Sequence, residues 1–413
     1  MKCSGWLVTG KAFLFVPLAA AILLLTGQSA RADSALAWGS NQNGQIGDGT
    51  MTNRYVPTSI PALSSGVIAI SAGSNHTTAV QNGALYVWGY NADGELGDGT
   101  TTNHLAPEQN PFLNSGVTAI AGDFTHSLAV QNGGVYAWGA NGAGQLGNGT
   151  TTNHLTPVAI SSLASGVTLI AGGFDHSLAV QNGGVYAWGN NNSGQLGDGS
   201  TTNRLTPVPV SSLSSGISAI AGGNVDSLAL KNGAVYAWGD NSTGELGDGT
   251  NTNRLTPVAV SGLSSGVTAI AAGASHNLAV KNGGVYAWGW NGSGQLGDGT
   301  ITNRNVPEQI DSTDLSNIVS VAAGQESSYA LSSDGSLWIW GRSQEGQLGL
   351  GVFEAGTEEE APQHLLPPTG YLFTSINAEG YYAVATVTAV PEPSTFALAV
   401  LAFGILGVRR RGR

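Results

Sequence analysis

Short stretches in which apolar and polar residues alternate recur along most of the chain, each bounded by glycine or asparagine. One unit contains SGVTAIAG (115–122), HSLAV (126–130), VYAWG (135–139) and TPVAI (156–160). Such alternation is typical of half-buried β-strands, because successive side chains point to opposite faces of a sheet. Asn132-Gly133 separates the second and third stretches and suits a two-residue hairpin turn, in which both residues need a positive φ. Each unit therefore predicts four short strands and no helix.

This unit repeats at an almost constant interval. Trp-Gly pairs mark its copies and begin at Trp38, Trp88, Trp138, Trp188, Trp238, Trp288 and Trp340. A lone four-stranded sheet cannot bury both of its faces, so the sheets must stack, and radial stacking gives a β-propeller. The repeat therefore predicts an all-β, seven-bladed β-propeller of four-stranded blades over residues 33–388.

The two ends of the repeat array complement each other. The first Trp-Gly stretch (36–39) has no HSLAV-like stretch before it, and the last HSLAV-like stretch (381–384) has no Trp-Gly stretch after it. Pairing of these two stretches would complete one blade from both chain ends. It would also remove two exposed strand edges that otherwise invite aggregation. We therefore predict that the propeller is closed by its N- and C-terminal strands.

Composition agrees with a turn-rich β protein and excludes several classes of function. Glycine supplies 62 of 413 residues, about twice its usual share. The single cysteine, Cys3, excludes an internal disulfide and a cysteine-rich zinc site. Of the 26 acidic residues only Glu392 lies outside residues 33–389, whereas half of the 14 basic residues do. A body this acidic repels a phosphate backbone, so nucleic acid is not an expected partner, and we expect a monomer.

The first 32 residues have the layout of an export signal. A basic start and an apolar run (12–25) precede Ala30-Arg31-Ala32, a small-residue site of the kind that signal peptidase cleaves after Ala32. A membrane anchor that stays attached is the alternative. The run has 14 residues, which is short for a span that needs about 20.

The last 25 residues (389–413) have three parts in order. Pro391-Glu392-Pro393 comes first, an apolar stretch (396–408) predicts a short transmembrane segment, and Arg409-Arg410-Arg411 ends the tail on the cytoplasmic side. This layout resembles the PEP-CTERM sorting tail. The resemblance implies transient inner-membrane anchoring, cleavage at Pro-Glu-Pro by an exosortase-type protease, and release to the cell envelope or matrix. A simple C-terminal tail anchor is the alternative.

The repeats themselves resemble those of the regulator of chromosome condensation family. The motifs HSLAV-x-NGG-VYAWG, GQLGDGT and TNR-x-TPV carry the resemblance over residues 35–388. The resemblance implies a seven-bladed propeller, with the kelch propeller as the alternative fold. The namesake is a nuclear exchange factor that docks on chromatin, a role that does not suit an exported acidic chain. The core of the repeat is also similar to that of secreted bacterial propellers that inhibit β-lactamases.

Some polar residues recur at fixed positions of the repeat. The first set is a histidine before each SLAV-like stretch, and we expect a ring nitrogen to bond backbone within its own blade: His76, His126, His176 and His276, with Asp226 and Ser327 replacing it. The second set is an aspartate in the GQLGDGT loop, expected to cap a turn, with calcium binding left open: Asp48, Asp98, Asp198, Asp248 and Asp298. The third set is an arginine expected to support the same loop: Arg54, Arg204, Arg254 and Arg304.

Nothing in the sequence predicts catalysis. No serine is paired with a histidine and an acid in a recognisable elbow, and no carboxylate pair stands apart from the repeats. The acidic run 358–360 is expected to be a solvated loop. We therefore expect a protein without enzymatic activity, cofactor or metal.

The candidate binding residues are those that vary between otherwise similar repeats. They are loop aromatics and neighbouring acids, namely Tyr90, Asp123, Phe124, Phe174, Asp175 and Trp290. Exposed aromatics favour interfaces, and the resemblance to the inhibitor propellers implies target contacts for Phe124 and Phe174. Packing of these rings between blades is the alternative.

The expected function is that of an exported binding or structural propeller of the envelope or matrix. Its partner would be an unknown secreted protein or a matrix polysaccharide. The alternative is a specific inhibitor or receptor for one secreted protein.

Overall fold

The computed structural model describes residues 33–310, 315–351 and 358–390. The processing residues predicted above lie outside the described residues: Ala30, Ala32, Pro391, Glu392, Pro393, Arg409, Arg410 and Arg411. The predicted short transmembrane segment (396–408) lies outside them as well. In the part of the chain that is described, no helix is long and apolar enough to cross a membrane.

The described chain forms β-strands and two short 3₁₀ helices, Pro61–Leu63 and Ser161–Leu163. In chain order the strands are β1 (Ser34–Gly39), β2 (Arg54–Ser59), β3 (Val67–Ala72), β4 (His76–Gln81), β5 (Ala84–Gly89), β6 (His104–Gln109), β7 (Val117–Gly122), β8 (His126–Gln131), β9 (Gly134–Gly139), β10 (His154–Ala159), β11 (Val167–Gly172), β12 (His176–Gln181), β13 (Gly184–Gly189), β14 (Arg204–Pro209), β15 (Ile217–Gly222), β16 (Asp226–Lys231), β17 (Ala234–Gly239), β18 (Arg254–Ala259), β19 (Val267–Ala272), β20 (His276–Lys281), β21 (Gly284–Gly289), β22 (Arg304–Gln309), β23 (Ile318–Ala323), β24 (Ser327–Ser332), β25 (Leu337–Arg342), β26 (Glu358–Leu365), β27 (Tyr371–Glu379) and β28 (Tyr382–Ala389).

These strands form seven antiparallel four-stranded sheets, which confirms the predicted propeller. Blades 1 to 6 are β3–β6, β7–β10, β11–β14, β15–β18, β19–β22 and β23–β26, and blade 7 is β27, β28, β1 and β2. The first strand of each blade contacts the first strand of the next blade, and β27 contacts β3, so the innermost strands form a ring.

Blade 7 closes the ring as predicted. Strand β1 pairs antiparallel with β28, with Trp38 opposite Ala383 and Ala37 opposite Val384. Blade 7 therefore contains both the first and the last strands of the domain. Folding of this blade requires both ends of the domain.

The Asn-Gly turns also have the predicted geometry. The five asparagines Asn82, Asn132, Asn182, Asn232 and Asn282 have φ between 50° and 53°, and the glycine after each also has a positive φ. Asparagine tolerates this left-handed conformation better than most residues do, because its short side chain bonds locally.

The tryptophan of each Trp-Gly pair joins two blades. Trp188 of blade 3 is fully buried, and its Nε1–H donates to the carbonyl of Gln145 in a loop of blade 2, at 2.8 Å. Trp38, Trp88, Trp138, Trp238, Trp288 and Trp340 make the equivalent bond to the preceding blade at 2.7–2.9 Å. The apolar core lies between neighbouring blades around these rings, which explains why the tryptophan recurs.

The recurring histidines also join blades, so the predicted bond to backbone within one blade is wrong. His126 Nε2 lies 2.7 Å from Ser177 Oγ of the next blade. Ser177 Oγ in turn donates to the Gln145 carbonyl at 2.9 Å, so the histidine is the donor to the serine. His76, His176 and His276 contact a serine of the next blade in the same way, at 2.8–2.9 Å.

The GQLGDGT loops are supported as predicted. Asp198 Oδ1 accepts bonds from the amide and hydroxyl of Ser200 at 2.9 and 2.8 Å, which is an Asx turn. Arg204 Nε donates to Asp198 Oδ2 at 2.7 Å. The aspartate and the arginine therefore hold one loop together.

The acidic run 358–360 is not a loop, and that prediction is wrong. It begins β26, the outermost strand of blade 6, where Glu359 lies opposite Gly341. An outermost strand is exposed along one edge, so charged residues are tolerated there.

Candidate binding face

Six predicted binding residues lie on one face of the propeller. In each blade, the residue after the third strand, or in blade 6 the last residue of that strand, donates its amide to the turn between the first and second strands. Examples are Tyr90 to Asn75 at 2.9 Å and Trp290 to Ser275 at 2.8 Å. We call this surface the loop face, and it consists of the turns 73–75, 123–125, 173–175, 223–225, 273–275, 324–326 and 379–381, together with Ser40, Tyr90, Ala140, Asn190, Asp240, Trp290 and Arg342.

Phe124 and Phe174 meet on the loop face. Their rings stack with centroids 3.9 Å apart and an interplanar angle of 27°, and both side chains are half-buried. They occupy the same position in blades 2 and 3, so the stacked pair spans two neighbouring blades. Target contact by these rings stays a prediction. Val225, 36% exposed on blade 4, lies one blade further round.

Asp175 is held beside this aromatic pair. Gln145 Nε2 donates to Asp175 Oδ1 at 3.0 Å, and Thr125 Oγ1 donates to the same oxygen at 3.4 Å. Burial raises the pKa of Asp175, and the bond from Thr125 opposes that shift. The carboxyl is thus oriented by its neighbours in blade 2.

Tyr90 and Trp290 are half-buried on the same face but belong to other blades. Tyr90 follows β5 of blade 1, and Trp290 follows β21 of blade 5, two blades beyond Phe174. The Trp290 indole covers Gly292, where an added Cβ would lie 2.5 Å from the ring. The predicted aromatics are therefore spread around the face, and only Phe124 and Phe174 form a pair.

One arginine side chain of the loop face, that of Arg342, is held by its neighbours. Arg342 Nη1 lies 2.5 Å from Glu326 Oε2, and its guanidinium lies 5.3 Å from the centre of the Tyr381 ring. This cluster joins blades 6 and 7. Arg342 is therefore engaged within the fold.

The Asp123 carboxyl packs against Gly172 of the next innermost strand, beside the channel on the propeller axis. The innermost strands surround a channel of about 240 Å³, and Asp123 lines it with only 5% of its surface exposed. Most other lining residues are Ala, Gly, Ile and Val. Asn377 Oδ1 accepts the amide of Ala72 at 2.8 Å, and Ser71 Oγ accepts the amide of Gly122 at 3.0 Å.

Glu379 is a second acid in the channel, and the sequence analysis missed it. Ala378 pairs with Ala383 as Ala72 pairs with Thr77, which places Glu379 at the position of Gly73. Burial raises the pKa of Glu379 to about 8. Aligning the divergent last repeat on its Tyr-Ala-Val stretch would have been the signal for this residue.

Among the described residues, no three His, Cys, Asp or Glu side chains are grouped so that they could hold a metal ion.

Comparisons with known proteins agree with this architecture. The sequence matches the RCC1-like domain over residues 32–316, the regulator of chromosome condensation (RCC1) repeat over 318–347 and 334–385, and the PEP-CTERM protein-sorting motif over 389–413. No curated protein matches the chain significantly.

Two solved structures show the same fold. Prp20p from Saccharomyces cerevisiae, described with its binding to Gsp1p and histones, is 22% identical with a TM-score of 0.76, covering 91% of this chain and 96% of its own. Human WBSCR16 is 22% identical with a TM-score of 0.77, covering 87% of this chain and 100% of its own. The chain thus belongs to the RCC1-like domain family and ends in a PEP-CTERM protein-sorting motif.

Proposed function

We propose that this propeller is an exported, non-catalytic binding protein of the cell envelope or extracellular matrix. It holds a partner protein on its loop face at Phe124 and Phe174. The PEP-CTERM motif supports export, with signal peptidase and an exosortase-type protease as processing partners.

The stacked Phe124–Phe174 pair is the observation that carries the proposal. Each ring fixes the other, so a partner gains apolar contact without the cost of ordering two free side chains. Aromatic anchors of this kind supply much of the binding energy at protein interfaces. Asp175, oriented beside the rings, adds a polar group at the edge of the apolar contact.

The roles of the recurring polar residues support a function without catalysis. The histidines join blades, and the loop aspartates cap turns. Each is engaged within the fold, and reactions need groups free to reach a substrate.

Pull-down from the native culture tests this proposal. The bait is the mature chain beginning at residue 33, and the test variant is Phe124→Ala/Phe174→Ala. The control is Asn224→Ala/Gln325→Ala, which alters the same position in blades 4 and 6. We expect wild type and control to capture one protein near equimolar. The test variant should bind the purified partner at least about tenfold more weakly, since loss of two anchors costs over about 1.4 kcal/mol.

The result of the pull-down also separates a specific inhibitor or receptor from a structural component of the matrix. Tight capture of a single secreted protein would identify an inhibitor or receptor. Equal capture of one protein by wild type and Phe124→Ala/Phe174→Ala would contradict the proposed surface. Capture of matrix polysaccharide alone, by all three baits, would replace it with a structural role in the matrix.

A further inference from the structure

The face opposite the loop face carries both ends of the described propeller. We call it the tail face, and it consists of the turns between the second and third strands, at 82–83, 132–133, 182–183, 232–233, 282–283 and 333–336, with the connections that enter each blade. Asp33 lies there, because its carbonyl accepts the Val67 amide at 3.2 Å. Val390 lies there too, and its amide donates to the Gly370 carbonyl at 2.8 Å. The PEP-CTERM motif (389–413) therefore leaves the propeller from the tail face.

Exposed apolar side chains of the tail face lie close to this exit. Among the described residues, the large apolar side chains exposed on this face belong to blades 6, 7 and 1 or to the connections that follow them. Phe112 lies in the connection after blade 1. We call the other six the tail-face patch, and they are 38–70% exposed: Ile68, Val319, Leu366, Tyr371, Leu372 and Val390.

The corresponding positions are polar in blades 2 to 5, although the repeats are otherwise similar. Ile68 and Val319 are the second residues of their innermost strands, and the equivalents are Thr118, Thr168, Ser218 and Thr268, with Thr374 in blade 7. Phe112 corresponds to Ser162, Ser212 and Gly262. At these two positions, apolar residues therefore occur beside the chain exit and polar ones on the far side. Contiguous exposed apolar surface on a soluble domain usually marks a contact surface.

Blade 7 projects further at the tail face than blade 1 does. Strand β27 has nine residues and β28 has eight, against six each in β3 and β4. Phe373 occupies the position of Val67 in the strand register, so Tyr371 and Leu372 continue past the start of β3. Two residues of a strand add about 7 Å. The patch therefore projects furthest at the point where the tail leaves.

The patch is continuous from blade 7 to blade 6. Leu372 packs on the hairpin of blade 6, where a Cβ added at Gly335 would lie 2.8 Å from Leu372 Cβ. The Ser333 amide of this hairpin donates to the Asn317 carbonyl at 3.0 Å. The same hairpin therefore lies beside the start of β23, which carries Val319.

On its other side the patch continues to blade 1 through Asp33. Thr374 Oγ1 donates to Asp33 Oδ2 at 3.0 Å, and the Asp33 carbonyl accepts the amide of the residue before Ile68. A second acid, Asp334, lies in the hairpin of blade 6 and accepts the Ser336 amide at 2.9 Å. Both carboxylates beside the patch thus accept a hydrogen bond within the fold.

The length of the tail determines which face lies nearest to a membrane. Five residues (391–395) separate Val390 from the predicted transmembrane segment (396–408). Five residues reach at most about 18 Å. The loop face lies one strand further away, and a six-residue strand spans about 20 Å. A propeller held by this tail therefore has its tail face closest to the bilayer.

We propose that the tail-face patch is a lipid contact surface, by which blades 6, 7 and 1 rest on the bilayer while the tail is anchored. Its apolar side chains enter the boundary between headgroups and acyl chains, and Tyr371 suits that boundary, where tyrosine is enriched. The loop face is then turned away from the membrane, towards a partner. The inference rests on the export proposed above for the presence of a membrane.

Site-specific labels on the anchored chain test this contact. The single cysteine, Cys3, precedes residue 33, so the chain 33–413 has no thiol and each introduced cysteine is a unique label site. Leu366→Cys lies in the patch, Ser162→Cys on the tail face of blade 3, and Val225→Cys on the loop face. Each labelled chain is reconstituted into phosphatidylcholine vesicles, and flotation verifies its attachment. We expect spin-labelled phosphatidylcholine to quench a nitrobenzoxadiazole dye strongly at residue 366, weakly at 162 and not at 225.

A second variant separates the patch from the tether. Ile68→Thr/Val319→Thr gives both strands the residue of blades 2, 3 and 5, so it should melt as wild type does and lose most of the quenching at residue 366. Val56→Thr/Val306→Thr makes the same kind of change at exposed positions of β2 and β22. This control should keep the quenching.

Three results would overturn the inference. Equal quenching at residue 366 in wild type and Ile68→Thr/Val319→Thr would show that the tether alone sets the distance to the bilayer. A dye at 366 that shifts to the blue without quenching would mean that the tail or a second copy covers the patch. A chain that does not float with vesicles would refute anchoring by the tail.

The labels also keep this inference apart from the proposed partner surface, because they report lipid contact without a partner protein. Phe124→Ala/Phe174→Ala should show wild-type quenching at residue 366, since these rings lie on the loop face. Loss of partner capture by that variant would leave the lipid contact unchanged. Failure of the lipid contact would leave the aromatic surface standing.

Discussion

Replacing Trp188 with alanine is expected to lower the free energy of unfolding by about 3–5 kcal/mol, the range for deletion of a large buried aromatic side chain. The Trp188 ring is fully buried between blades 2 and 3, against Leu146, Ile160 and Leu163. The substitution removes this contact and leaves a cavity between the two sheets. It also removes the bond from Trp188 Nε1 to the Gln145 carbonyl. Urea unfolding followed by far-UV circular dichroism would measure the change.

Two controls separate burial from the hydrogen bond. Trp188→Phe keeps much of the apolar contact and loses the donor, so it should cost about 1–2 kcal/mol less than the alanine variant. Phe112→Ala removes an aromatic ring that is 52% exposed, and it should change stability by less than about 0.5 kcal/mol. If Trp188→Ala unfolded at the same urea concentration as Phe112→Ala, the tryptophans would not be joining the blades.

The fold was predictable because the same local pattern recurs in each repeat. Alternation of apolar and polar residues marked the strands, Asn132-Gly133 marked a hairpin turn, and the number of Trp-Gly pairs gave the number of blades. The pairing of β1 with β28 followed from two stretches that lacked partners within their own repeats. These inferences depend on residues that are close in sequence or on the number of repeats. Neither requires knowledge of how the blades are placed relative to one another.

Contacts between blades were not predictable in the same way. The bond from His126 to Ser177 depends on how far one sheet is rotated about the axis relative to the next. The sequence of a single repeat does not specify that rotation. Phe124 and Phe174 occupy one position of adjacent repeats, so their proximity was implicit, but stacking depends on side-chain direction. Glu379 was missed because its repeat has diverged, and only the strand register aligns it with Gly73.

A buried glutamate in the GQLGDGT loop leads to a prediction about pH. Glu95 is 2% exposed and occupies a position that is glutamine in most repeats. Burial raises the pKa of Glu95 to about 7 from an ordinary value of 4.5. Between pH 4.5 and about 7 the folded chain therefore keeps a proton that the unfolded chain has released. Stability falls as pH rises through this window and remains lower above it.

Other buried titratable groups determine the pH range in which the loss of stability caused by Glu95 can be measured. Glu379 acts in the same direction, with a window that reaches about pH 8. The buried histidines act in the opposite direction, because burial lowers their pKa from 6.5 to about 3 or 4: His76, His126, His176 and His276. Since the unfolded chain binds the extra protons there, stability rises with pH between about 4 and 6.5. The two sets oppose each other below pH 6.5, and the acids act alone above it.

Stability is therefore expected to fall between pH 6.5 and about 8, and Glu95→Gln should remove the loss that Glu95 causes between pH 4.5 and about 7. This variant restores the residue of most other repeats, so it should fold normally. It should gain on the order of 1–3 kcal/mol over wild type at pH 9 relative to its difference at pH 4.5. The reverse change, Gln195→Glu at the same buried position of blade 3, should add a similar loss between pH 4.5 and about 7. Urea unfolding between pH 4.5 and 9 would measure both, and a Glu95→Gln curve parallel to wild type would show that the buried glutamate is ionised in the fold at no cost.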